Sequence, residues 1–85
     1  MIRILDVIAI DKDLIVSLDN GSLITADIAA LLSSEEIEKV TENGELLLPS
    51  TNGSVVYWQN GIRIPLKKLL ELHLAGEYWS KKTKR

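Results

Sequence analysis

Residues 55–72, "VVYWQNGIRIPLKKLLEL", read as strand, turn, strand, proline and helix with hardly a residue to spare. Asn60-Gly61 stands between two apolar runs. Both residue types tolerate a positive φ, so the pair predicts a two-residue type I′ hairpin. In that register Gln59 pairs with Ile62, Trp58 with Arg63 and Tyr57 with Ile64. One face then carries Val55, Tyr57, Ile62 and Ile64, and the other Val56, Trp58 and Arg63. Pro65 fixes φ near the helical value and lacks an N–H, which suits the first position of a helix. Leu66, Leu69, Leu70, His73 and Leu74 follow at helical spacing. They predict a helix to about Ala75, with Gly76 as its C-terminal cap. A hairpin feeding directly into a helix, with both apolar faces on one core, makes the fold α+β.

Upstream, the chain is divided by the same dipeptide, since four of its five glycines follow an asparagine. Ile2 to Ile10 is a β-branched strand, Asp11-Lys12-Asp13 turns the chain, and Leu14 to Leu18 is a second strand. Asn20-Gly21 then predicts a two-residue hairpin into Ser22 to Ala26, with Leu18 facing Leu23 and Val16 facing Thr25. Asp27 can cap a short turn through Leu32. Ser33 or Ser34 can cap the next helix, and Ser33 with Glu36 has the spacing of a capping box. Glu35 and Glu36 fall in its first turn, where the helix dipole favours acid. Asn43-Gly44 is predicted to end that helix, Glu45 to Leu48 to form another strand before Pro49, and Asn52-Gly53 to lead into Ser54 to Gln59.

At 85 residues the chain fits one domain. Residues 1–76 are expected to form a single α+β domain. Its core is a small, mostly antiparallel sheet of five or six strands, with a short central helix and a C-terminal helix. Residues 77–85 are expected to be a mobile basic–aromatic tail. A formal net charge of −2 excludes a chain that binds polyanions through its overall charge. The absence of cysteine excludes disulfides, thiol catalysis and Cys-based zinc sites and fits a reducing cytoplasm. The N-terminal apolar run is short and interrupted by charge, unlike a signal peptide or a membrane span.

The segments quoted resemble the small bacterial proteins grouped as domain of unknown function 2442. The resemblance covers roughly Val7 to Leu72. It is carried by "LIVSLDNGSLITADIAALL", by "ENGELLLP" and above all by "VVYWQNGIRIPLKKLLEL", with its tryptophan, Asn-Gly turn, proline and leucine-containing helix. The resemblance implies the same α+β fold, and it implies no reaction, because the family has no established biochemical activity. Some similar proteins carry this domain in front of a helix-turn-helix DNA-binding domain, which this chain is expected to lack. Others are small products encoded beside a second small protein, which implies antitoxin-like pairing. The chain departs from the family after Pro65. There Lys67 and Lys68 replace the usual acidic or hydroxyl residues of a helix N-terminus.

No constellation states a reaction. The single histidine, His73, sits on the helix's apolar side, Glu71 and Glu77 do not lie on its face toward Leu69, and a boundary position near a helix end accounts for it. Asp11 and Asp13 lack the glycine and the bidentate glutamate of a calcium loop. The glycines fit turns and caps rather than a phosphate loop. No catalytic residue, metal or cofactor is therefore expected. Trp58 opposite Arg63 could form a cation–π pair of roughly 0.5–1 kcal/mol, the composition of a binding hot spot, or its face could be covered by another part of the domain. Tyr78 and Trp79 stand before Lys81, Lys82, Lys84 and Arg85. With Arg63, Lys67 and Lys68 they suit contacts to phosphates and bases, or simply a solvated helix end.

The leading expectation is a non-enzymatic interaction or regulatory module, an antitoxin-like partner of another small protein. The alternative is an accessory nucleic-acid-binding protein using the basic tail. Ile2, Ile4, Ile8 and Ile10 alternate with Leu5, Val7 and Ala9, so the first strand is apolar on both sides. Two short helices cannot cover both faces of such a sheet, so a protein partner or a second copy is expected on the remainder.

Overall fold

β1 (Ile4–Ile10), β2 (Asp13–Leu18) and β3 (Leu23–Asp27) form an antiparallel sheet in that order in the computed structural model, which describes residues 1–73. The strand period of two puts Leu14, Val16 and Leu18 of β2 in the core, together with Ile4 and Val7 of β1 and Ile24 and Ala26 of β3. β1 bulges between Ile4 and Asp6, which leaves Leu5 exposed and restores the alternation after it.

The β2–β3 hairpin differs from the expected one by a single residue. A type I′ turn needs positive φ at both central positions, and only Gly21 has it, at 88°. The Gly21 amide donates to the Leu18 carbonyl (3.1 Å), and the Leu18 amide to the Ser22 carbonyl (2.9 Å). This is a type I turn followed by a left-handed glycine, a three-residue loop. Val16 consequently opposes Ile24 and Leu14 opposes Ala26, whereas Leu23 and Thr25 turn to the other face.

Asn60-Gly61 repeats the geometry. Gly61 alone has positive φ, its amide donates to the Trp58 carbonyl, and the Trp58 amide donates to that of Ile62. The genuine two-residue I′ turn is Asn43-Gly44, with φ of 55° and 80°. It does not stop the helix as expected. It joins β4 (Thr41–Glu42) to β5 (Glu45–Leu46), with Glu42 opposite Glu45.

Between these hairpins the caps follow the sequence. Asp27 Oδ1 accepts from the Ala29 amide at 2.9 Å and opens a 3-10 turn over Ile28–Ala30. Ser33 caps α1 (Ser34–Lys39) with both bonds of the capping box, and Val40 is the C-cap.

The last sheet contains β6 (Ser50–Thr51), β7 (Val55–Tyr57) and β8 (Arg63–Pro65). Pro65 closes β8 instead of starting the helix. That helix, α2, begins at residue 66 and is described to residue 73. The expected cap at Gly76 and the tail at 77–85 lie outside the described residues.

The expected single sheet of five or six strands is corrected, among the described residues, to small sheets of three, two and three strands. β1 and β6 pack side by side, and the Ile4 amide donates to the Gly53 carbonyl at 2.8 Å. The ladder stops there because β1 bulges at that point and β6 is only two residues long. One apolar cluster unites the sheets with the helical segments, through Ile28, Leu31, Leu32, Val40, Leu66 and Leu69. Among the described residues no polar or charged residue is buried, and no helix is long and apolar enough to cross a membrane.

Candidate interaction surface

The last hairpin carries the residues that the sequence singles out. Its one-residue shift separates them, because Tyr57, not Trp58, opposes Arg63. Trp58 is only 4% exposed, and its Nε1 donates to the Leu47 carbonyl at 2.9 Å. The ring thus fills the core, and its N–H fastens the loop after β5. Arg63 is exposed on the other face of the hairpin, beside a hollow lined by Asn52, Tyr57, Gln59, Gly61 and the rim of Trp58. The expected cross-strand pairing of Trp58 with Arg63 is not formed. The face bearing Trp58 is covered by the domain itself.

Of the two lysines after Pro65, Lys67 is exposed and Lys68 is engaged. Lys68 Nζ donates to the Leu31 carbonyl at 2.6 Å and ties α2 to the segment before α1. That bond accounts for an amine in the first turn of a helix, where the dipole alone disfavours it. Lys68 and Lys39 also contribute to holding the Glu36 carboxyl below its ordinary value, although the Ser33 backbone N–H is the largest cause. His73 is half-buried at the end of the described part of α2. Tyr78, Trp79, Lys81 and Lys82 lie outside the described residues. Among the described residues no three His, Cys, Asp or Glu side chains are placed to hold a metal ion.

An exposed apolar surface lies elsewhere, on the outer face of the first sheet. Register aligns its residues in rows across the three strands. Ile8, Ile15 and Thr25 form the middle row. Asp6, Ser17 and Leu23 flank it on one side, and Ile10, Asp13 and Asp27 on the other. Ile8, Ile10 and Leu23 are 42%, 51% and 60% exposed, and Ile15 between them is half-buried. Among the described residues the helical segments pack on the opposite face of this sheet. Sequence reading foresaw apolar residues on both sides of β1 but placed Leu23 on the wrong face. The signal that would have placed it is the turn itself: a three-residue loop ending in glycine shifts the register by one. An apolar groove also runs between Ile2 and the start of α2, lined by Pro65, Leu66 and Leu70. Comparison of the chain with family models, with curated proteins and with solved structures gives no match.

Proposed function

We propose that the chain is a non-enzymatic interaction or regulatory module that engages another protein through the outer face of its first sheet. The observation that carries this reading is the exposure of Ile8, Ile10 and Leu23 on one continuous strand surface. Contiguous exposed apolar area on a small domain marks an interface. The antitoxin-like form of the reading draws on the resemblance to domain of unknown function 2442, whose stand-alone members are encoded beside a second small protein. Affinity purification from the native host tests it. A partner retained by the wild-type chain and lost with Ile8→Lys supports the reading, and a partner set unchanged by that substitution contradicts it.

The second reading, accessory nucleic-acid binding, is supported by exposed Arg63 and Lys67, and the engagement of Lys68 Nζ with Leu31 counts against it. Titration with generic DNA or RNA at increasing salt tests it, since each phosphate contact steepens the salt dependence. Salt-independent or absent binding removes it.

A further inference from the structure

The outer face of the first sheet selects among partners by its charge and its size. Its apolar residues are Ile8, Ile10, Ile15 and Leu23. Its charged residues are Asp6 on one side of the middle row and Asp13 and Asp27 on the other, and among the described residues no lysine or arginine shares the face. The nearest cation in sequence, Lys12, sits in the β1–β2 turn between Asp11 and Asp13. A second copy laid on this face would set carboxylate against carboxylate, which is repulsive at short range. The face is also small. Three strands at a spacing of about 4.8 Å and five residues at a rise of about 3.3 Å give on the order of 300 Å² with side-chain margins. A standard protein interface takes about 800 Å² from each partner. An area of this size matches one α-helix about 10 Å wide.

We infer that this face docks a single amphipathic helix of another protein, apolar along one stripe and flanked by Lys or Arg. The inference rests on the interaction-module reading and names the chemistry of its partner. The aliphatic stripe would lie along Ile8, Ile15 and Leu23, and the flanking cations would meet Asp6 on one side of it and Asp13 and Asp27 on the other.

Two synthetic peptides of about 15 residues, long enough for marginal helicity, test it. They share one leucine stripe, flanked by lysine in the first and by glutamate in the second. Amide chemical shifts of the full chain are followed on titration with each. The expected result is movement of the Asp6, Ile8, Ile15 and Thr25 amides, with the lysine peptide binding about tenfold more tightly. That preference shrinks at high salt and reverses in the Asp6→Lys/Asp13→Lys variant. Equal binding of the two peptides at these amides, or a preference unmoved by the charge reversal, overturns the basic-flanked partner and leaves the apolar docking face standing. A dimer in sedimentation that Ile8→Lys dissolves overturns it in favour of a second copy. Binding of neither peptide at about 1 mM, by a chain that sediments as a monomer, overturns both this inference and the reading beneath it.

Discussion

Gly53 and Gly61 both hold left-handed backbone, at φ of 102° and 93°, yet their surroundings differ. A Cβ on Gly61 would meet nothing within 4 Å, whereas one on Gly53 would run into the Arg3 guanidinium, with Cζ at 2.9 Å. Gly61→Ala therefore measures backbone strain alone, about 1–2 kcal/mol, and Gly61→Val at least as much. Gly53→Ala carries the same strain and also displaces Arg3 from the Asn52 carbonyl. Urea unfolding should show Gly53→Ala as the more costly of the two alanine variants, with the excess gone in an Arg3→Ala background. Equal costs in the wild-type background would remove Arg3 from the account. Trp58 gives a second residue-scale prediction. Trp58→Phe keeps most of the buried ring and leaves the Leu47 carbonyl without its donor, at about 1 kcal/mol. Trp58→Ala removes the ring as well and should cost about 3–5 kcal/mol. A Trp58→Ala variant with unchanged stability would return Trp58 to the list of surface residues.

At the scale of elements, the capping box of α1 makes stability depend on pH in a defined direction. The Ser33 N–H donates to Glu36 Oε1 at 2.9 Å, and this bond is the chief reason the carboxyl titrates below its ordinary value. A depressed folded-state value stabilises the fold above the unfolded-state value, and the stabilisation is lost as pH falls through the folded one. The wild-type chain should therefore melt above Glu36→Gln at neutral pH, with the gap closing in acid. A gap independent of pH would contradict the charge-assisted bond. Ser33→Ala should cost about 1 kcal/mol at neutral pH. These caps were legible in the sequence because they are local: Asp27, Ser33 and Glu36 act within three residues of themselves. The Asn-Gly pairs were legible as turns but not as turn types. The same dipeptide makes a I′ turn at Asn43 and a type I turn with left-handed glycine at Asn20 and Asn60. Core packing decides between them, since only the shifted register buries Ile24 against Val16 and Ile64 against Val56. The two-residue strands β4 and β6 carry no period that a sequence could show, and the break between β1 and β6 depends on a bulge. For the candidate site, the two-sided apolar character of β1 was readable, and the identity of the outward residues on β3 was not, because it hangs on that one-residue shift.

For the whole molecule, the division of labour between faces is the main consequence. The last hairpin and α2 serve the core through Val56, Trp58, Ile64, Leu66 and Leu69. Among the described residues the first sheet serves it through one face only. The other face bears Ile8, Ile10 and Leu23 and adds little to folding, because residues so exposed leave much of their apolar surface in water. This separation predicts that the two faces respond in opposite ways to the same kind of change. Val7→Ala, on the core face of β1, should destabilise the domain by about 1–3 kcal/mol as a large-to-small change in a packed core. The most direct measurement is equilibrium urea unfolding of the triple variant Ile8→Thr, Ile10→Thr and Leu23→Thr, with threonine chosen because it keeps strand propensity. If the outer face is held for a partner, the variant should stay within about 1 kcal/mol of the wild-type chain. A loss of several kcal/mol would mean that the chain's own fold covers this face, and it would contradict the assignment of the face to a partner.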